Sequence, residues 1–382
     1  MTKRGDTRGA DRDNLPAEAE AAAGVFAPPG AEIEGIRAYG GGNVHETFLV
    51  ALKRPDARDF ILQRVNTFVF RRPELVMQNI GAVTGHIRKR LAAERPGRRW
   101  EIPGVVPARD GRDHWVDPEG SFWRAAEFIR DARSLPAVRD AGHALEVGWA
   151  LGMFHRLVSD LPAASLGDTL EGFHVTPLYV GRYDAVLARK TPAASVDVRR
   201  CMDFVERKRA GAGVLEEAKG AGRLYLRTIH GDPKADNVLL DAVTGRAVAL
   251  IDLDTVKPGL IQYDIGDCLR SCCNPLGEDP GDPDAVRFEA EYCRAALRGY
   301  FSGAGGVLTA EDAARIFDSV RLIAFELGLR FFTDYLEGNV YFRVTRGDQN
   351  LARALVQFAL VESIERQEAA VRKIIDDAAR GR

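Results

Sequence analysis

Two short β-prone runs, each followed by acidic residues, interrupt an otherwise helical stretch of this 382-residue chain and constrain its fold. The first run, 226–229, leads into His230-Gly231-Asp232-Pro233-Lys234-Ala235-Asp236-Asn237. The second run, 247–251, leads into Asp252-Leu253-Asp254. In this pattern the first strand leads to an acid, and the loop after it places an amide beside that acid. The second strand also ends in an acid, so the oxygen ligands of all three side chains come together. The pattern therefore predicts a site for a metal ion and phosphate groups.

The residue types in this motif match the needs of phosphoryl transfer, which requires a base, metal ligands and cations around the phosphates. We expect Asp232 to accept or orient the proton of the attacking hydroxyl. Asn237 and Asp252 supply the amide and carboxylate oxygens that Mg²⁺ prefers. Lys234 is expected to neutralise the transferred group as a point charge. Asp232 and Lys234 are thus the predicted catalytic residues.

Two residues of the motif allow more than one interpretation. Asp254 lies two positions beyond Asp252, on the same side if the segment is extended, so it either joins the metal site through a bound water or caps the next loop. His230 is expected to pack beneath the loop and hold its shape rather than to transfer a proton. For the whole motif, the alternative is a coincidence of loop polar residues and a strand cap, which the combined order and spacing disfavour.

Residues 31–131 combine short strand patterns with one helical stretch, which predicts a small antiparallel α+β lobe that binds ATP. An early hairpin in this lobe carries three consecutive glycines at its tip. Because glycine has no side chain, we expect the backbone amides of Gly41, Gly42 and Asn43 to approach the nucleotide closely.

Other residues of this lobe are also candidates for nucleotide binding. Arg64 lies on the third strand, where a guanidinium can hold phosphates, although a surface arginine is the alternative. Its acidic partner stays open, because Glu74 is the sole acid in the helical stretch 73–91. Backbone groups of Glu127, Phe128 and Ile129, where the last strand becomes the interlobe hinge, are expected to hydrogen-bond adenine.

The predicted organisation is a bilobal protein-kinase-like α+β fold. Residues 1–30 form a disordered or partly helical tail, 31–131 the small sheet lobe with one helix, and 132–382 a larger, mainly helical lobe with the catalytic loop and the substrate pocket. The candidate helices of the second lobe are 141–157, 177–189, 196–219, 284–301, 310–336 and 348–379.

Composition excludes several classes of partner. Lys and Arg number 53 against 55 Asp and Glu, so no net charge favours nucleic acid or an anionic membrane. The five cysteines contain no C-x-x-C pair, which argues against a disulfide framework and a zinc site. With no signal-like or membrane-spanning run, we expect a cytoplasmic protein, monomeric or weakly dimeric, that acts on a small molecule.

Taken together, these segments resemble the aminoglycoside-phosphotransferase-like kinase superfamily over about residues 35–342. Within it the chain is most similar to the N-acetylhexosamine 1-kinases, which phosphorylate the anomeric hydroxyl of N-acetylglucosamine or N-acetylgalactosamine. The narrower resemblance is carried by Phe60-Ile61-Leu62-Gln63-Arg64-Val65-Asn66-Thr67, by Ile251-Asp252-Leu253-Asp254-Thr255-Val256 with Asp264-Ile265-Gly266-Asp267, and by the run 329–342.

The resemblance implies an ATP- and Mg²⁺-dependent enzyme that makes a sugar 1-phosphate from a hexosamine or N-acetylhexosamine. It makes Arg64 the expected residue of its strand, and it gives Asp264 the structural role of pinning the catalytic loop's backbone. Arg330 and Tyr341 fall in a segment that resembles a sugar-binding wall, the alternative being a helix-surface ion pair and a core tyrosine. The segment 173–177 also resembles a family loop, for which the sequence supplies no role.

Alternative functions remain at this point. If the acceptor is not a hexosamine, the alternatives are an aminoglycoside, choline, homoserine or another sugar. Clusters of acidic residues would favour a polycationic aminoglycoside. The run 329–342, however, contains Arg330 and only scattered acids. A nucleotide-binding pseudokinase is disfavoured, because Asp232, Lys234, Asn237 and Asp252 are all intact. The unusual glycine-rich hairpin and the N-terminal tail depart from the family pattern and leave the sugar's identity open.

Overall fold

The computed structural model describes residues 16–40, 44–53, 58–94, 96–190 and 195–381. These residues form two compact units. The first consists of the described residues up to Met77 together with Pro103–Arg130, and the second of Gln78–Ile102 with the described residues from Asp131 onward. Residues 78–102 therefore group with the second unit, whereas the sequence predicted one continuous lobe over 31–131.

The first unit is built on an antiparallel sheet. Its strands are β1 (Ile33–Ala38), β2 (Glu46–Leu52), β3 (Phe60–Val65), β4 (Val105–Val106), β5 (Trp115–Val116) and β6 (Phe122–Glu127), preceded by helix α1 (Ala17–Phe26). The strand order is β1-β2-β3-β6-β4, and β5 also pairs with β6. Helix α2 (Pro73–Glu94) begins in this unit and continues in the second. The α+β character predicted for the N-terminal region is confirmed.

Helix α1 belongs to the folded core of the first unit, although the sequence placed the start of the folded part near residue 31. Its buried face consists of Ala19, Ala22, Ala23 and Phe26, spaced three and four residues apart. These side chains join the core cluster that contains Trp123 of β6. The small alanine side chains on this face let the helix lie close to the sheet, and Phe26 adds the one large side chain of the buried face.

The second unit is mainly helical, as predicted. Its helices are α3 (Ala141–Val158), α4 (Thr176–Leu187), α5 (Val196–Lys208), α6 (Val214–Gly220), α7 (Ile261–Cys272), α8 (Ala290–Ala304), α9 (Ala310–Ala314), α10 (Ile316–Glu337), α11 (Gln349–Arg366) and α12 (Glu368–Arg380). Short strands β7 (Ala132–Arg133), β9 (Val238–Asp241) and β10 (Ala247–Leu250) pair in the order β10-β9-β7, and β8 (Arg227–Ile229) pairs with β11 (Lys257–Gly259).

Helix α7 is the main element that the sequence did not predict. It is poor in strong helix formers, and its polar residues Gln262, Asp264 and Asp267 are buried instead of forming an exposed face. Gly266 allows the backbones to approach, since a Cβ there would lie 2.7 Å from the Ser319 carbonyl oxygen of α10. Tertiary contacts therefore determine this helix. Within the described ranges, no helix is both long and apolar enough to cross a membrane.

Candidate active site

Asp264 of α7 holds the backbone of the loop that follows β8. Its Oδ2 accepts the His230 amide at 2.6 Å, and its Oδ1 accepts the Gly231 amide at 2.8 Å. The same Oδ2 lies 2.9 Å from His155 Nε2 on α3. Burial by itself would raise the pKa of Asp264, but the hydrogen bond from His155, the electrostatic interactions with the His155 and His230 rings and the hydrogen bond from the His230 amide lower it overall. The carboxylate is therefore a charged anchor beneath the loop.

His230 is completely buried and hydrogen-bonds within the site. Its Nε2 lies 3.0 Å from the Ile251 carbonyl, and its Nδ1 accepts the Asp232 amide at 3.3 Å. Burial lowers the pKa of His230, which keeps the ring neutral with its proton on Nε2. The ring connects the end of β10 to the loop, so its contacts are those of a residue that holds the loop's shape.

Asp232, Lys234 and Asn237 are brought together within one short loop. Lys234 Nζ lies 3.3 Å from Asp232 Oδ2, and Asn237 Nδ2 donates to the Asp232 carbonyl at 2.7 Å. The Asp232 charge raises the pKa of Lys234 despite its burial, so the ammonium stays protonated. The loop thus places one carboxylate, one fixed cation and one amide at the same point.

Asp252 and Asp254 do not share one side of an extended segment, which corrects the sequence expectation. Asp252 adopts the left-handed conformation, φ 67°, and Leu253–Thr255 forms a 3₁₀ turn. Asp252 is exposed, whereas Asp254 is 2 % exposed. The two residues therefore differ in exposure, because a tight turn does not preserve the two-residue alternation of a strand.

The donor set of the loop fits a divalent cation that also binds phosphate oxygens. Asn237 directs its NH₂ group at the Asp232 carbonyl, which leaves the amide oxygen as the ligand atom. Asp252 adds an exposed carboxylate after the second strand. In the part of the chain that the structure describes, no group of three or more His, Cys, Asp or Glu side chains could hold a metal by itself. Such a site suits Mg²⁺, which keeps waters and phosphate oxygens as ligands.

Two further acidic residues, Asp236 in the loop and Asp267 on α7, have raised pKa values. Burial raises the pKa of Asp236 to about 6. Asp267, one helical turn after Asp264, accepts Arg270 Nε at 2.9 Å and Nη2 at 2.7 Å through Oδ1, and burial raises its pKa. The Asp267 Oδ2 atom has no hydrogen-bond partner among the described residues. Sequence reasoning missed Asp267, although its i, i+3 spacing from Asp264 on a helix would have placed it on the same face.

Arg330 lies in a separate pocket of the same unit, surrounded by aromatic rings. Its guanidinium carbon is 5.0 Å from the Phe173 ring centroid, 5.3 Å from Tyr179, 5.8 Å from Tyr341 and 5.4 Å from Phe342. These rings lie within the range of cation–π attraction. Burial lowers the pKa of Arg330, but the tyrosine hydroxyls together with the Glu326 and Asp232 carboxylates more than compensate and raise it.

The pocket has a volume of about 170 Å³ and contains both residues predicted as substrate ligands, Arg330 and Tyr341. Its remaining lining residues are Leu170, Glu171, Tyr179, Arg182, Thr333, Asp334 and Phe342. Asp334 fixes the segment that carries Tyr341, because its oxygens accept the backbone amides of residues 340, 341 and 342 at 2.8–3.0 Å. Sequence reasoning missed Asp334, whose role depends on the chain's reversal after α10.

In the first unit, Arg64 pairs with Glu46 on the neighbouring strand. The two residues lie directly opposite each other in the β2–β3 ladder, with Nη2 and Oε2 2.7 Å apart. The guanidinium carbon also lies 5.9 Å from the Trp123 ring centroid. The acid left open by the sequence is thus a cross-strand partner, which a correct hairpin register identifies.

The backbone amides at the end of β6 differ in whether they hydrogen-bond within the protein. The Glu127 amide donates to the Gly104 carbonyl at 2.8 Å, and the Phe128 amide donates to the Asp59 carbonyl at 3.3 Å. The Ile129 amide makes no backbone hydrogen bond with any described residue. Of the three predicted hinge residues, Ile129 is therefore the one whose backbone amide is available to bind a ligand. The predicted contacts at Gly41, Gly42 and Asn43 lie outside the described residues.

Comparison with known proteins identifies a family to which the chain is similar. Residues 35–305 match the sequence profile of the phosphotransferase enzyme family. This range covers about 70 % of the chain and contains the motif at 230–237 and the acids at 252 and 254.

Solved structures of kinases share the fold. A microcompartment-associated aminopropanol kinase superposes with a TM-score of 0.58 at 20% identity, covering 93% of this chain and 98% of its own. An aminoglycoside phosphotransferase from Alicyclobacillus acidocaldarius has a TM-score of 0.59 at 13% identity, covering 97% and 98%. An amicoumacin kinase in complex with AMP-PNP and Ca²⁺ has a TM-score of 0.56 at 15% identity, covering 91% and 92%. The kinase-like fold predicted from sequence is confirmed.

Proposed function

Since the chain belongs to the phosphotransferase enzyme family, we propose that it transfers the γ-phosphate of ATP to the anomeric hydroxyl of a hexosamine or N-acetylhexosamine. Membership of the family supports the general activity: the protein is a small-molecule kinase that uses ATP and a divalent metal. The acceptor and the roles of individual residues are the proposal.

Asp232 is the proposed base of the reaction. It accepts the proton of the attacking hydroxyl while Lys234, held 3.3 Å away as an ammonium, balances charge on the transferred phosphoryl group. When bound, the divalent cation neutralises and orients the phosphates, and Asn237 and Asp252 hold it. Asp254 is buried, so we assign it to the structure of the turn after β10 rather than to the metal.

Residues of the first unit are proposed to bind the nucleotide. Arg64 donates to the phosphates while Glu46 fixes the direction of its side chain. The Ile129 amide donates to adenine, since the amides of Glu127 and Phe128 are already used within the fold. Gly41, Gly42 and Asn43 keep their predicted role at the phosphates.

Arg330 carries the proposal for the acceptor. Its guanidinium faces a pocket of about 170 Å³ and makes no hydrogen bond or ion pair with any residue that the structure describes. Five N–H donors beside aromatic faces suit the hydroxyl and carbonyl oxygens and the ring face of a sugar. A fixed cation also repels an amine, and the volume suits one sugar ring rather than a multi-ring drug.

An acceptor with a carboxylate, such as homoserine, is the second candidate that Arg330 favours, because a guanidinium binds a carboxylate through two parallel hydrogen bonds. Amine acceptors are supported by the fold neighbours, which include an aminopropanol kinase. At 20% identity that likeness concerns the fold, and the Arg330 cation in the pocket instead supports an acceptor without an amine.

The acceptor is tested by measuring ATP consumption with Mg²⁺ against a panel of N-acetylhexosamines, hexosamines, homoserine, choline, aminopropanol and aminoglycosides. We expect the highest kcat/KM for an N-acetylhexosamine, and a phosphorus NMR signal coupled to the anomeric proton of the product. Higher kcat/KM for an amine or an amino acid, or phosphate on another hydroxyl, would overturn the proposed acceptor.

The role of Asp232 is tested in the same assay with Asp232→Asn. General-base catalysis contributes about 10²–10⁴-fold, so turnover should fall by that factor while nucleotide binding, followed by calorimetry, stays nearly unchanged. Wild-type turnover in this variant would contradict the assignment. Asp160→Asn, which changes an exposed acid of the same unit, is the matched control.

A further inference from the structure

His174 is a buried residue for which the sequence offered no role. It lies in the loop before α4, is 3 % exposed, and adopts the left-handed conformation with φ 66°. Side chains other than glycine rarely adopt this conformation, and it persists where surrounding contacts impose it. The centroid of the Phe173 ring lies 3.9 Å from that of His174 with the two planes tilted by 34°, and the Tyr263 ring of α7 lies 5.5 Å away.

Both ring nitrogens of His174 face oxygen acceptors. Nε2 lies 2.7 Å from the Gly231 carbonyl, and Nδ1 lies 3.0 Å from Glu326 Oε1 on α10. The other oxygen of Glu326 accepts the Thr176 hydroxyl at 2.7 Å. A carbonyl has no proton to give, so Nε2 carries one, and the short contact of Nδ1 with a carboxyl requires a second proton between them. The pair is therefore an imidazolium and a carboxylate that share a proton.

This pair connects the two parts of the site that must cooperate. Gly231 immediately precedes the base Asp232, and Glu326 lies four residues before Arg330, on the same face of α10. Phe173, next in sequence to His174, also forms part of the aromatic cage around Arg330. A contact at His174 thus reaches the catalytic loop through one nitrogen and the acceptor helix through the other.

We propose that His174 and Glu326 form a proton-bearing bridge that positions the Arg330 pocket relative to the catalytic base Asp232. His174 is a positioning residue, because it touches the Gly231 backbone and not the reacting atoms. The inference deepens the proposed function and rests on it in taking the Arg330 pocket as the acceptor site.

The charges around the bridge favour its protonated form. Burial lowers the pKa of His174, but the Glu326 charge and hydrogen bond, the Asp267 carboxylate of α7 and the Gly231 carbonyl raise it overall. Arg330 faces Glu326 from one turn further along α10. Tyr263 is held protonated, since burial and Glu216 raise its pKa. The bridge is therefore intact below and around the usual histidine value of about 6.5, and it opens as pH rises through the raised value.

The first test observes the proton directly in the wild-type enzyme. Nitrogen-15 NMR of the seven labelled histidines should show one ring with both nitrogens protonated at pH 7, and this signal should disappear in His174→Gln or shift in Glu326→Gln. A neutral His174 at pH 7 would overturn the proposal. This readout does not depend on the acceptor, so its failure is distinct from a failure of the proposed function.

The second test separates positioning from folding. His174→Gln leaves Glu326 buried without its charge partner, and a displacement of about 1 Å between base and acceptor lowers kcat by about 10²-fold. We expect that loss with the best acceptor of the panel, with the KM for ATP unchanged within about twofold. Glu326→Gln preserves a hydrogen bond to a neutral ring and should retain most of the activity, and the double variant should recover part of the loss.

His86→Gln is the matched control, since His86 contacts Asp160 at 2.9 Å on the surface of the same unit. Thermal unfolding of each variant reports the folded fraction. Wild-type kcat in folded His174→Gln, or an equal rise in both KM values, would overturn the proposal. If His174→Gln does not fold, the NMR measurement on wild type and Glu326→Gln decides alone.

Discussion

Replacing Asp264 tests whether one buried carboxylate holds the catalytic loop. The Asp264→Ala variant removes three hydrogen bonds, from the amides of His230 and Gly231 and from His155 Nε2, all at 2.6–2.9 Å. Each hydrogen bond to a charged group contributes about 1.5–3 kcal/mol, and the sum is reduced because water can enter the space that alanine leaves. We expect the free energy of unfolding to fall by about 3–5 kcal/mol, as for other broken buried pairs.

Urea unfolding followed by circular dichroism measures this loss, and turnover should fall with it because the loop amides lose their anchor. The pKa of Asp264 is lower in the folded protein than the ordinary value of about 4, so the carboxylate stabilises the fold above pH 4. The stability difference between variant and wild type should stay constant from about pH 5 to 8 and shrink as pH falls below 4.

The control is Asp160→Ala, since Asp160 is 56% exposed and its contacts with Arg90 and His86 lie at the surface. Exposed pairs contribute about 0–1 kcal/mol. A loss within about 1 kcal/mol for Asp264→Ala, or a loss equal to that of the control, would refute the account of the loop.

Four further variants test other parts of the site. Gly231→Ala should destabilise the protein by more than about 1–2 kcal/mol and abolish turnover, because φ is 90° and the new Cβ would lie 2.6 Å from the Thr255 carbonyl; unchanged thermal unfolding would contradict this. Arg330→Gln should raise the acceptor KM about 10–100-fold with little change for ATP, measured by initial rates; an unchanged acceptor KM would remove Arg330 from the pocket's function. Arg64→Ala should raise the KM for ATP about tenfold, and Glu46→Gln by less, since Glu46 only orients the guanidinium; the opposite order would reject that assignment.

The catalytic loop was predictable because its essential relations are local. Asp232, Lys234 and Asn237 lie within six residues of one another, and the short loop itself brings their side chains together. The expectation that Asp254 lies on the same side of the chain as Asp252 was wrong for a related reason. It assumed an extended strand, whereas the left-handed Asp252 turns the chain and buries Asp254.

Long-range partners were harder to predict. The bonds from Asp264 to the loop join residues 33 and 34 positions apart, and the contact of His174 with Glu326 joins residues 152 apart. Helix α7, which carries Asp264, is formed from residues of low helix propensity whose polar groups are satisfied only after packing. Two of the long-range partners had a signal in the sequence: the family resemblance assigned Asp264 to the loop's backbone, and the register of a hairpin pairs Arg64 with Glu46.

The sequence by itself determined the reaction type and the α+β kinase-like fold, because residue spacing within loops and the alternation of strands and helices act over short distances. The tertiary structure decided what surrounds that loop: the anchor at Asp264, the bridge from His174 to Glu326 and the cage around Arg330. The burial of polar side chains explains why the sequence determined the first set of features and the tertiary structure the second. A polar side chain removed from water must find its partner wherever the fold places one, and that partner can lie anywhere in the chain.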